Sequence, residues 1–188
     1  MMCNFFAAIA VLFLLSTAHC FPLRTHEGDN CDGLFIRATT RQKATTVTQS
    51  INNWIEDVDT VNSFLNVALA LPLGGPLKAR ASNALAFAQD EPTNVAFLKT
   101  TPGIDSAGLA AASELERVFG GVLDQLRNVV DQPGNLAVAI SAVKQININR
   151  CNNVLPSAET LWRSAATAAN ISTATFPPLA NRETACRR

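Results

Sequence analysis

Tyrosine is absent from this chain of 188 residues, histidine occurs twice, and only 16% of positions carry a charge. Each shortage removes a class of chemistry. His26 is the one histidine certain to lie in a mature chain, and it falls in a polar stretch. Without a base, no Ser or Cys nucleophile can be activated through a triad. No His, Cys, Asp or Glu grouping has metal-ligand spacing. Glu114 and Glu116 would point about 200° apart around a helix and form no acid–base pair. Gly74-Gly75-Pro76-Leu77-Lys78 lacks the spacing of a phosphate loop. We therefore expect no catalytic residue, no metal and no cofactor, and the chain reads as a non-enzyme. Acidic and basic residues balance at fifteen each, so no global field draws in nucleic acid. Beyond residue 20 no apolar run is long enough to span a bilayer, and no transmembrane segment is expected.

What the chain does have begins at residue 1. Phe5 to Leu15 is an unbroken apolar run followed by small residues, about the length of a secretory h-region. Residues 1–20 are expected to be a signal peptide, cleaved after Ala18 or after Cys20. A polar arm over 21–32, a helical domain over 33–170 and an irregular tail over 171–188 follow. The tail carries Pro177-Pro178 and no hydrophobic stretch for a lipid anchor.

Within the domain, apolar residues recur at helical spacing. Val47, Ile51, Trp54, Ile55, Val58, Val61, Phe64, Leu65, Ala68 and Leu69 form one stripe, stopped by Pro72-Leu73-Gly74-Gly75-Pro76. A second helix is expected over Leu77 to Gln89, interrupted at Pro92, with a helical turn from Asn94 to Lys99. Asp105 or Ser106 caps a third, whose stripe runs from Leu109 through Leu115, Phe119 and Leu126 to Val130. Leu136, Ile140, Val143 and Ile146 mark a fourth running toward Cys151. Pro156 opens a fifth that ends near Ala169. No segment sustains strand-like alternation. The fold class is all-α, an up-and-down bundle of about five helices, disulfide-stapled.

Three features are candidates for function. Gly120-Gly121 sits inside a long amphipathic helix, where each glycine costs about 1 kcal/mol relative to alanine. Close helix packing or room for a ligand would offset that. The aromatic set is Trp54, Phe64, Phe87, Phe97, Phe119 and Trp162. Trp54, Phe64 and Phe119 with the glycine pair could line an apolar pocket between helices. Cys31, Cys151 and Cys186 lie in any mature chain, and Cys20 joins them if cleavage follows Ala18. Counting helix directions brings Cys31 to Cys151, with Cys20 to Cys186 as a second bridge where Cys20 is retained. Asn170-Ile171-Ser172 is a glycosylation sequon.

The Thr/Ser-rich amphipathic segment from Thr45-Thr46-Val47-Thr48 to Asn62-Ser63-Phe64-Leu65, followed by the long Leu109–Leu126 helix, resembles the fungal hydrophobic surface binding protein A and cell-wall galactomannoprotein family. The resemblance covers roughly residues 47–169. It implies a five-helix bundle that binds hydrophobic surfaces, some members holding fatty acids between the helices. The stretch from Cys151 to Trp162 and the lack of a Ser/Thr-rich wall-attachment tail depart from that pattern. The resulting expectation is a secreted, extracellular or cell-wall-associated glycoprotein that binds lipids, fatty acids or hydrophobic surfaces in an inter-helix cavity. The alternative is a secreted effector or antigen that binds a host or competitor protein. An enclosed apolar cavity would favour the first, an exposed apolar patch the second.

Overall fold

The computed structural model describes residues 43–173 together with Cys186. The expected signal peptide, the arm and most of the tail lie outside the described residues. Among the described residues every regular element is a helix. α1 (Val47–Val67) begins at Thr46, whose hydroxyl accepts from the Gln49 backbone N–H. It ends in a short 3-10 turn, Ala68–Ala70. Gly74, at φ 87°, reverses the chain where a side chain would be strained. α2 spans Gly75–Leu98, α3 Ser106–Asp131, α4 Leu136–Asn149 and α5 Leu155–Ala168. α1, α2, α3 and α4 run alternately up and down, and α5 continues in the direction of α4. The Gly74 N–H donates to the Pro133 carbonyl (2.9 Å) and ties the α1–α2 and α3–α4 connections together at one end. The start of α3 meets α5 at the other, where the Ser164 hydroxyl donates to Asp105 (2.6 Å).

Two of the sequence expectations need correction. Pro92 does not interrupt α2: one helix runs through it, and Asn94–Leu98 is its last turn and a half. An internal proline costs about 3 kcal/mol or more. Here Glu91 and Asn94, on either side of it, are buried and hydrogen-bonded across to α1, which holds the segment helical. The fourth and fifth helices are likewise not separated. A π-helical turn, Arg150–Val154, joins α4 to α5 in one continuous rod. The Leu155 N–H reaches back five residues to the Arg150 carbonyl, a register that accommodates the missing N–H of Pro156. The five α-helical segments therefore stand as four rods.

That rod also corrects the disulfide pairing. Cys151 bonds Cys186, with Cα atoms 5.4 Å apart, and neither the Cys31–Cys151 nor the Cys20–Cys186 pairing is formed. The direction count treated Cys151 as the end of a helix at the end of the bundle. It lies instead midway along the fourth rod, and the tail returns to meet it there.

The core runs the length of the bundle and is rich in alanine: Ala81, Ala84 and Ala88 on α2, Ala111 and Ala112 on α3, and Ala158, Ala165 and Ala166 on α5. Small residues let helices approach closely. On α4 the buried face is Ala139, Ala142, Val143 and Ile146, while Leu136 and Ile140 of the expected stripe are 50% and 48% exposed.

Candidate functional site

The middle of the core is polar, which sequence reading did not anticipate. Glu91 and Arg150 form a fully buried ion pair, Nη1 to Oε1 3.0 Å. The Trp54 indole N–H donates to the other carboxylate oxygen of Glu91 at 3.0 Å. Arg150 also reaches Asn62 on α1 (3.4 Å), and Asn94 donates to Asp57 (3.1 Å) while accepting from Ser50 (3.1 Å). Both oxygens of Glu91 are thus occupied, and the network joins three rods. The two departures from regular α-helix, Pro92 and the π-turn, both adjoin this pair. Its chemistry is structural: a buried charge is tolerated when its partner and hydrogen bonds are in place.

Of the residues expected to line a ligand cavity, the structure brings Trp54 and Phe119 together, ring centroids 6.3 Å apart. Trp162 joins them with its edge to Trp54 at 5.5 Å. All three are buried, so rings fill the space where a cavity was expected. Gly120 and Gly121 do not border that space. Both are exposed on α3; a Cβ on Gly120 would meet nothing, and one on Gly121 only the Asn149 amide at 3.6 Å. The glycine of close approach is Gly108, where a Cβ would fall 2.3 Å from the Ser164 hydroxyl oxygen. The buried stripe of α3 runs through Leu115, Val118, Phe119, Val122 and Leu126 as expected, and Gly120 and Gly121 fall between its members on the outer side of the helix. Among the described residues no group of three His, Cys, Asp or Glu side chains could hold a metal. Glu114 and Glu116 also go separate ways, to Arg117 and to Lys99. The hydrogen bonds from Arg117 hold the Glu114 carboxyl below its usual range.

Two surface features remain. The first is the end of the bundle where Gly74 meets Pro133. Leu69 (51% exposed), Leu73 (43%) and Val67 crowd the α1–α2 connection, and Leu136 and Ile140 stand on the first turns of α4. The Ala68–Ala70 turn packs on α4. Asn149, which donates to the Val118 carbonyl, marks the side of α4 facing α3. Leu136 and Ile140 lie about 140° and 180° around the helix from it, away from α3. Val67, Leu69, Leu73, Leu136 and Ile140 thus gather at one end, whereas Leu109 (47% exposed) stands at the other and Ile148 (54%) midway along the fourth rod.

The second is a groove of about 390 Å³ between α1 and α2. Asn52, Glu56, Asp59, Thr60 and Ser63 line it from α1, Arg80 and Asn83 from α2, with Ile55 and Phe64 as its apolar part. Burial raises the Asp59 carboxyl above the ordinary value. Neither Asp59 nor Arg80 has a hydrogen-bond or ion-pair partner among the described residues. At the opposite end of α5, Asn170 takes the left-handed conformation (φ 55°). The Asn170 and Ile171 N–H groups close the helix on the Thr167 and Ala166 carbonyls, leaving the sequon asparagine exposed.

No family model, no curated protein and no solved structure matches this chain.

Proposed function

We propose that this chain is a secreted, non-catalytic protein that attaches to hydrophobic surfaces, lipid among them, through the apolar end of its bundle. The observation that supports the reading is the reversal of burial on α4. Ala139 and Ala142 face the core while Leu136 and Ile140, larger and more apolar, are left half in water at the same end as Leu69 and Leu73. Exposed apolar side chains scattered singly are ordinary; a cluster at one end of a chain with few charges is a contact surface. The inter-helix cavity first expected is not part of this reading, since Trp54, Phe119 and Trp162 occupy that space. Among the described residues no helix is long and apolar enough to cross a membrane, so attachment would be interfacial. On this reading export also exposes Asn170 to glycosylation.

The test is adsorption of the purified protein to polystyrene beads, with Leu69→Ser/Ile140→Ser alongside. Both side chains are about half exposed, so the variant should fold, and it should lose most of the adsorption. Equal adsorption by the two proteins would remove the reading. The same apolar end also supports the second reading, an effector docking on a partner protein. Under that reading, wild type would not adsorb to beads or vesicles, while the double substitution would abolish capture of a specific protein.

A further inference from the structure

The groove and the apolar end are continuous. Along α1 the groove residues Asn52, Glu56, Asp59 and Ser63 follow one another by threes and fours with Thr60 beside Asp59, and the next position on that row is Val67. The hydrogen bonds Trp54–Glu91 and Ser50–Asn94 fix the register of the antiparallel pair. At that register Arg80 stands level with residues 64–65 of α1, roughly 4 Å beyond Val67 at 1.5 Å per residue, whereas Asp59 is about 12 Å beyond it. Moving away from the apolar end, the groove therefore presents a cation first and a carboxylate second.

A zwitterionic phospholipid at an interface has the complementary order: acyl chains, then phosphate, then ammonium. We infer that the α1–α2 groove is a headgroup site for a zwitterionic phospholipid, with Arg80 on the phosphate and Asp59 on the ammonium. The inference rests on the proposed attachment through the apolar end and adds what that end attaches to. Amphipathic elements at a bilayer bury their apolar face by about 5–10 Å, a depth that would bring Arg80 to the phosphate level once Leu69 and Leu73 enter the acyl region. Guanidinium is the side chain best suited to a phosphate fork. Asn83 and Ser63 add neutral hydrogen-bonding groups, and Ile55 and Phe64 an apolar wall. The balance of charge fits the same partner: fifteen acidic and fifteen basic residues give no attraction to an anionic surface. A half-buried carboxylate without a partner gains one when the ammonium arrives.

The experiment is co-sedimentation with phosphatidylcholine vesicles, with phosphatidylglycerol vesicles and polystyrene beads in parallel, for wild type, Asp59→Asn and Arg80→Gln. Thermal melts check that all three are folded. Wild type should prefer phosphatidylcholine, and soluble glycerophosphocholine should compete. Each variant should bind phosphatidylcholine about tenfold or more weakly, the loss of one charge-assisted contact, yet keep its adsorption to beads. Variants that bind phosphatidylcholine as wild type does, or a wild type that prefers phosphatidylglycerol, would overturn the headgroup site while leaving surface attachment standing. A wild type that binds neither beads nor vesicles would overturn both.

Discussion

Gly108 is the residue at which one methyl group matters most. A Cβ there would lie 2.3 Å from the Ser164 hydroxyl oxygen, 2.7 Å from its Cβ and 2.8 Å from Ile104. Gly108→Ala should lower stability by about 1–3 kcal/mol through overpacking, despite alanine's better helix propensity; denaturant melts read this directly. Gly121→Leu, on an exposed face where a Cβ meets only the Asn149 amide at 3.6 Å, should raise stability by up to about 1 kcal/mol by relieving the glycine's helix penalty. Beside Gly108, Asp105 caps α3, and its carboxyl is held below the usual range by the Ser164 hydroxyl and then by the Gly108 N–H. A depressed carboxyl stabilises the fold fully above the ordinary aspartate range and loses that contribution as pH falls through the lowered value. Wild type should therefore lose melting temperature on acidification through that range, and Asp105→Ala should flatten the loss. Asp59 has the opposite sign. Burial raises its carboxyl, so its ionisation opposes folding, and Asp59→Asn should melt slightly higher at neutral pH and no higher in acid.

At the scale of elements, the two irregular stretches converge on one contact. Arg150→Leu leaves Glu91 charged and buried without its partner and should cost about 3–5 kcal/mol, whereas Glu91→Met/Arg150→Leu should recover most of that loss. Comparing the two melts separates a wholly structural pair from one with a further role. Holding Cys186 to the π-turn closes a loop with a separation of 35 residues. On the chain-entropy model, Cys186→Ser should lower stability by about 3–4 kcal/mol. The helices themselves were legible in the sequence, because the spacing of Ile51, Trp54, Val58, Val61 and Leu65 and the Asp105 cap are local signals. The passage through Pro92 and the π-turn ahead of Pro156 were not, although Pro156 does open α5 as expected. Local rules read each proline as a boundary, while Glu91, Asn94 and Arg150 keep both rods continuous past them by contacts distant in sequence. Leu136 and Ile140 misled for a related reason. Size suggested the buried stripe, but close approach of α4 to its neighbours selects alanine.

For the molecule as a whole, the two ends differ in kind. One joins Asp105, Ser164 and the Schellman turn at Asn170 in a capped closure with Leu109 as its exposed apolar side chain. The other carries Leu69, Leu73, Leu136 and Ile140. Attachment through the second end should be insensitive to salt between about 0.05 and 0.5 M, since the net charge is zero and screening has little to remove. A steep fall in vesicle binding over that range would point to a basic patch instead. This polarity could not be read from the sequence, because composition is blind to which loops share an end; the Gly74–Pro133 hydrogen bond brings them together. The aromatic core has an optical consequence. Both tryptophans of the chain, Trp54 and Trp162, are locked edge to face deep in the bundle, and there is no tyrosine. Interfacial proteins commonly carry tryptophan and tyrosine at the headgroup level, where a shift of emission signals docking. Here the proposed contact surface holds neither residue. Intrinsic fluorescence should follow unfolding and stay silent on the proposed attachment, so an emission change on adding lipid would mean that the bundle had opened.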